Sequence, residues 1–179
     1  MRTLEQICVS RRPGTKVQGI LRAGHLTLPC VLGRSGIRAV KREGDGASPR
    51  GVWHLREAFV RADRWGRRLP VGLPQRVLKM SDGWCDATHD RNYNRLIQHP
   101  YPASAEHLWR DDALYDAIVV VGYNDRPRMR AAGSAIFMHL ANEDASGFRP
   151  TEGCVALRRR DLSRLLPFIG VQTRIRIGV

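Results

Sequence analysis

Two residues of the sequence, His139 and Cys154, could together perform acyl-transfer chemistry. His139 lies in the apolar segment Phe137–Leu140, and Cys154 immediately precedes the apolar segment Val155–Leu157. Both segments have the composition of short buried strands. If these strands are neighbours in one sheet, the imidazole and the thiol can come within hydrogen-bond reach, as a cysteine nucleophile and its base require.

Gly153, directly before the cysteine, favours the same interpretation. Glycine permits a tight backbone turn in which N–H groups near the cysteine point towards a developing oxyanion. The alternative is that Cys154 is a buried structural thiol and His139 a hydrogen-bonded histidine at a strand end, which is commoner for an arbitrary pair. The surrounding residues decide between these two interpretations.

Those residues resemble the L,D-transpeptidase (YkuD-type, ErfK/YbiS-like) family in two separate motifs. The family signature is a histidine, a loop and then Ser/Thr-x-Gly-Cys, which His139 and Thr151–Cys154 match in order and spacing. The segment Gly46–Gly51 is similar to the Gly-x-x-Thr-Pro-x-Gly loop of the family, and Ser48 within it is a candidate substrate contact. Two motifs together carry more weight than a lone Gly-Cys pair.

The resemblance implies a cysteine enzyme that attacks the tetrapeptide stem of peptidoglycan between meso-diaminopimelate, the third residue, and the terminal D-alanine. By position, Cys154 would be the nucleophile and His139 the general base. The backbone carbonyl of Leu140 would orient the imidazole. Gly153 and Cys154 would supply the oxyanion N–H groups, and Thr151 would shape the turn.

The chain departs from the family pattern on either side of the cysteine. Glu152 stands where the family commonly has a second histidine, and Ala156 stands where it commonly has an arginine. Arg158 is a candidate substitute for that arginine. A carboxylate at Glu152 would raise the pKa of the nearby thiol, so we expect it to have a cationic partner among Arg158, Arg159 and Arg160.

Other candidate substrate contacts lie in an irregular segment and after a predicted central strand. Trp84 and Asp86 belong to the polar and aromatic stretch Met80–Pro102, and Tyr123 and Asn124 follow the apolar run that begins at Ala117. Such positions are natural rims for a cleft, although aromatic packing explains Trp84 and Tyr123 equally well. The remaining histidines have no metal-ligand spacing, so we expect no metal and no cofactor.

The elements that must position these residues are mainly strands. The pattern predicts strands, a short helix capped by Ser104 and a helix from about Asp161 that Pro167 ends or kinks. The predicted strands are Thr3–Val9, Gln18–Arg22, His25–Val31, Ile37–Lys41, Val52–Leu55, Ala117–Tyr123, Ser134–Leu140, Val155–Leu157 and Thr173–Ile177. We therefore expect a mostly β fold: an L,D-transpeptidase-like, mostly antiparallel β-sandwich or flattened barrel with a few short peripheral helices.

Composition limits the alternatives further. The length suits a single catalytic domain over residues 1–179, and no apolar run is long enough for a membrane helix. Met1–Gly14 lacks the apolar region of a secretory signal, so we expect a cytoplasmic protein as the sequence stands, and a periplasmic one if an export signal was removed. The four cysteines form no Cys-x-x-Cys pair and are expected to be free thiols.

The acceptor of the acyl group is left open by the motifs. Water as acceptor gives an L,D-carboxypeptidase, whereas an amine gives a transpeptidase that forms cross-links or exchanges D-amino acids. Without export the enzyme would meet soluble muropeptides as its partners, which favours hydrolysis in muropeptide recycling. A net charge of +13 suits substrates with several carboxylates.

Two alternative functions belong to other functional classes. The basic composition is compatible with a nucleic-acid-binding protein, but no binding-module signature supports it and we expect no specific nucleic-acid partner. The departures at Glu152 and Ala156 are compatible with an inactive family member that only binds wall fragments. A dead site would leave Cys154 no more reactive than Cys8 or Cys30.

Overall fold

A barrel-like β-sheet forms the body of the protein in the computed structural model, which describes residues 3–145 and 147–178. The strands of this sheet are β1 (Gln6–Arg11), β2 (Gln18–Ala23), β3 (Leu26–Val31), β6 (Gly51–Val60), β7 (Gln75–Val77), β11 (Ala117–Val121), β12 (Phe137–Leu140), β15 (Val155–Leu157) and β16 (Arg174–Ile177). Smaller sheets contain β4 (Ile37–Arg38), β5 (Ser48–Pro49), β8 (Asp82–Cys85), β9 (Leu96–Gln98), β10 (Ala105–His107), β13 (Glu143–Asp144) and β14 (Gly147–Phe148).

The order of the main sheet explains how the barrel closes. Within the described residues, the order is β11-β12-β15-β3-β2-β1-β16-β6-β7, and β11 also pairs with β6. Most of these pairings are antiparallel, while β1 with β16, β6 with β7 and β12 with β15 are parallel. The prediction of a mostly β, mostly antiparallel flattened barrel is therefore confirmed.

The side chains of β12 and β15 alternate between the apolar core of the barrel and the opposite face of the sheet. In β12, Met138 and Leu140 point into the main apolar core, as Val155 and Leu157 do in β15. Successive side chains of a strand point to opposite faces. His139 and the residue before Val155 therefore lie on the other face of the sheet.

Two helices lie beside the strands in the described ranges: α1 (Ala62–Trp65) and α2 (Arg159–Leu165). Leu162 and Leu165 are the apolar residues that α2 buries. A 3-10 turn, Leu166–Phe168, follows directly and contains Pro167. The predicted end of this helix near Pro167 is confirmed, because proline lacks the N–H that a continuing helix needs.

Two predictions about local structure are wrong. Residues 105–107, predicted to be helical, form β10, in which Glu106 pairs opposite Trp84 of β8. The segment Met80–Pro102, predicted to be irregular, contains β8 and β9. In both cases pairing between distant segments outweighs a weak local pattern, because a single capping serine does not specify a helix without an apolar period behind it.

Candidate active site

Cys154 and His139 lie on neighbouring strands and face the same cavity. His139 is in β12, and Cys154 immediately precedes β15, which pairs in parallel with β12 so that His139 lies opposite Ala156. Both residues are buried, with exposed fractions of 5% and 7%. They line a cavity of about 590 Å³, a size typical of small-ligand sites.

The thiol of Cys154 is held by the backbone of the segment before β12. Its Sγ donates to the carbonyl of Ala135 at 3.3 Å, and the N–H of Phe137 donates to Sγ, also at 3.3 Å. Burial raises the pKa of the Cys154 thiol to about 12, and the nearby Glu106 carboxylate also raises it. At neutral pH the resting group is therefore a thiol rather than a thiolate.

The imidazole of His139 is fixed in one tautomer. Its Nδ1 lies 2.7 Å from the carbonyl oxygen of Leu140, and the edge of the ring faces Tyr115 with the centroids 5.1 Å apart. Because a carbonyl only accepts, Nδ1 carries the hydrogen and Nε2 is left as the proton acceptor. Burial lowers the pKa of His139 to about 4, so the ring is neutral at pH 7.

The turn before Cys154 requires glycine at position 153. Gly153 has a φ of +139°, and a Cβ there would come within 2.7 Å of the carbonyl oxygen of Ala47. Its N–H donates to the hydroxyl of Thr151 at 3.2 Å, and that hydroxyl donates to the carbonyl of Cys154 at 2.7 Å. Ser48 supports the same carbonyl from the other side, at 3.5 Å. Thr151 and Ser48 therefore stabilise the turn through its backbone.

Charged side chains of both signs line the cavity, and two of them, Lys41 and Glu106, are not candidates of the sequence analysis. Lys41 is buried and forms an ion pair with Asp45 at 2.7 Å. Glu106 accepts a hydrogen bond of 2.6 Å from the hydroxyl of Tyr115, and burial raises the pKa of Glu106. The sequence pattern places Lys41 at the end of a predicted short strand and Glu106 in the predicted helix capped by Ser104. The position of Lys41 beside the glycine-rich loop of the second motif was the available signal.

Comparison with known families identifies the chain. Residues 7–177 match the family model of YkuD, the L,D-transpeptidase catalytic domain. The protein belongs to the YkuD family. Neither a curated protein nor a solved structure is significantly similar to the chain. The match covers both sequence motifs and confirms the family resemblance, and it makes the protein an L,D-transpeptidase-type enzyme of a family that acts on peptidoglycan.

Glu152, the unusual residue of this YkuD domain, has a cationic partner, but a different one from those predicted. Arg34 Nε lies 2.8 Å from one carboxylate oxygen of Glu152 and 3.1 Å from the other. The expected partner Arg158 instead pairs with Glu143. Glu152 precedes β15 and Arg158 follows it, so the strand separates them, whereas the N–H of Arg34 donates to Thr151 at 2.8 Å and places Arg34 beside Glu152.

Three of the remaining candidate contacts, Trp84, Tyr123 and Asn124, lie outside the cavity lining in the part of the chain that the structure describes. Trp84 packs edge-on against Phe137 with the centroids 5.1 Å apart. Tyr123 donates its hydroxyl to a backbone carbonyl at 2.6 Å, and the side-chain amide of Asn124 bonds to the backbone of the same loop. Asp86, proposed beside them, does line the cavity. Packing accounts for Trp84 and Tyr123 in this structure.

Among residues 3–145 and 147–178, no group of three or more His, Cys, Asp or Glu is arranged to hold a metal ion. No helix within those ranges is long and apolar enough to cross a membrane.

The neutral imidazole predicts a pH dependence of stability. The ordinary histidine pKa is 6.5, and folding lowers that of His139 to about 4. As the pH falls, His139 therefore takes up a proton in the unfolded chain before it does so in the folded protein. The stability that the neutral His139 contributes is present above pH 6.5 and is lost as the pH falls towards 4. Between pH 7 and pH 5 the wild type should lose about 2 kcal/mol more unfolding free energy than His139→Gln, measured by urea denaturation. Equal losses in the two proteins would contradict a desolvated His139.

Proposed function

We propose that this YkuD domain cleaves the bond between meso-diaminopimelate and D-alanine in peptidoglycan tetrapeptide stems through a Cys154 acyl-enzyme. The sulfur of Cys154 attacks the diaminopimelate carbonyl carbon as Nε2 of His139 takes the thiol proton. That proton then passes to the amine of D-alanine, which leaves as the C–N bond breaks. The placement of His139 and Cys154 on one face of paired parallel strands, at one cavity, is the observation that carries this proposal.

The protonation states bear on how the attack proceeds. With a thiol of pKa about 12 and an imidazole of pKa about 4, a preformed thiolate–imidazolium pair is unfavourable in the resting cavity. The proton therefore leaves the sulfur as the carbon–sulfur bond forms. The imidazole is ready for that role because its Nδ1–H is already held by Leu140 at 2.7 Å.

For the second step we propose water as the acceptor, which makes the enzyme an L,D-carboxypeptidase. Hydrolysis needs only water to reach the acyl-enzyme in this cavity, whereas cross-linking needs a second stem peptide to bind there. Soluble muropeptides in the cytoplasm are then the proposed substrates. Transpeptidation in the periplasm, with a diaminopimelate or D-amino acid amine as acceptor, is the alternative.

Mass spectrometry of the products tests the acceptor. We expect the disaccharide-tetrapeptide to lose D-alanine and give the tripeptide, with the same product when a D-amino acid is added. Exchange of the terminal residue, or dimer formation, would replace the water assignment with transpeptidation. An unchanged substrate would overturn catalysis on this substrate and favour a domain that only binds wall fragments.

A further inference from the structure

Lys41 is a buried cation in the wall of the active-site cavity. Its side chain is 3% exposed, and its Nζ lies 2.7 Å from Oδ1 of Asp45. The carboxylate of Asp45 also accepts hydrogen bonds from the backbone N–H groups of Arg42 and Ala47, each at 2.9 Å. The carboxylate therefore does not depend on the ammonium alone for its hydrogen bonds.

The ammonium of Lys41 retains donor capacity towards the cavity. It has three N–H groups, of which one donates to Asp45 and a second is directed at the carbonyl of Arg42 at 3.4 Å. The aliphatic stem is held by close packing, since a Cβ on Gly133 would lie 2.8 Å from Cε of Lys41. Lys41 lines the cavity that also contains Cys154, and two of its three N–H groups are directed at the protein partners named above.

The other cations of the cavity are less suited to bind an anion. The side chain of Arg110 is 35% exposed and that of Arg149 is 64% exposed, so solvent screens both charges more than that of Lys41. A hydrogen bond from a charged donor is stronger where water is excluded. The buried ammonium of Lys41 can therefore form a stronger hydrogen bond to an incoming carboxylate than either arginine can. The position at which the family commonly has an arginine is Ala156 here, which is 1% exposed within the sheet.

We propose that Lys41 binds the free C-terminal carboxylate of the substrate peptide. This inference rests on the proposed function and deepens it, because it makes the enzyme specific for peptides that end at the residue to be released. A peptide whose terminal carboxylate is amidated, or extended by another residue, lacks the group that Lys41 recognises. Lys41 is thus a specificity residue that selects tetrapeptide stems with a free terminus.

The kinetic test compares the tetrapeptide acid with its C-terminal amide. We expect the wild type to prefer the acid by about 10- to 100-fold in kcat/KM, the range for a charge-assisted hydrogen bond. Lys41→Met should lose this preference, because its kcat/KM falls for the acid and stays the same for the amide. The exposed control Lys16→Met should retain the preference. A purely structural Lys41 would lower both rates together and preserve the ratio, which would overturn the proposal.

Binding to the Cys154→Ala variant separates this proposal from the proposed function. Calorimetry should show tighter binding of the acid than of the amide, and Lys41→Met/Cys154→Ala should bind both equally. If the wild type cleaves neither peptide but this difference is found, the proposed function fails and the role of Lys41 stands. Equal binding of acid and amide by Cys154→Ala would sink the role of Lys41.

Folding of the variants is checked independently. Lys41→Met leaves Asp45 without its ion-pair partner in a buried position, which is destabilising. Lys41→Met/Asp45→Asn removes both charges, and it should show the same loss of preference for the acid. A double variant that folds, as judged by circular dichroism, and still prefers the acid would also overturn the assignment.

Discussion

Cys154→Ala is expected to lower the rate of D-alanine release by about 10⁴-fold or more, because the proposed acyl-enzyme forms on the sulfur that this substitution removes. The variant should still bind the stem peptide, since alanine removes only the sulfur and leaves the turn at Gly153 intact. Product analysis by mass spectrometry over long incubations measures the residual rate. Retention of more than about a tenth of the wild-type rate would exclude Cys154 as the nucleophile.

Cys30 provides a matched control for this experiment. It is also fully buried, and burial raises the pKa of its thiol to about 12, the same value as for Cys154. Cys30 lies in the apolar core and does not line the cavity that contains His139. Cys30→Ala should therefore lose some stability to the void it creates but retain activity, which would show that location beside His139 distinguishes the two thiols.

The placement of His139 and Cys154 at one cavity was predictable because the information for it is local. Strand alternation and the Gly-Cys turn are properties of short segments, and the structure pairs β12 with β15, which is the condition under which the sequence pattern brings the two side chains together. The partner of Glu152 was not predictable in this way. Arg34 is distant in the sequence and reaches Glu152 only because Gly33 and Thr151 form a bridge between separate parts of the fold.

The position of Glu106 in the cavity wall was missed for the same reason, which is long-range pairing. Glu106 reaches the cavity because β10 pairs with β8, and neither strand carries a strong period-2 pattern of its own. The burial of Lys41 in the cavity wall could not be predicted for another reason. A buried lysine is rare unless it is paired, and its partner Asp45 lies in a glycine-rich loop that composition alone describes as a turn.

These charged groups give the cavity a polarity that His139 and Cys154 do not supply. At rest His139 and Cys154 are both neutral, so attraction of a zwitterionic peptide depends on the surrounding wall. Lys41 contributes a cationic group to the cavity wall, while Glu106 and Asp86 contribute carboxyl groups to the same wall. A peptide with both ammonium and carboxylate groups fits such a wall better than a uniformly charged polymer such as a nucleic acid.

The second large effect is expected at His139. His139→Gln should lower kcat/KM by about 10²- to 10⁴-fold, because glutamine retains a hydrogen-bonding side chain of similar length but cannot accept the thiol proton. The exposed His89→Gln is the control and should leave the rate unchanged. A decrease of less than about threefold in His139→Gln would exclude His139 as the general base.

The pH profile gives His139 a signature that simple loss of structure does not reproduce. A base must be unprotonated to act, so activity falls as the pH drops through the pKa of the free-enzyme imidazole, which burial lowers to about 4. The wild-type kcat/KM should therefore change little between about pH 7.5 and pH 5, where an ordinary histidine base would already have lost most of its activity. A wild-type acid limb centred near 6.5 would mean that solvent reaches the imidazole in the working enzyme. His139→Gln should lack the acid limb of the wild type at any pH, because the group that titrates there has been removed.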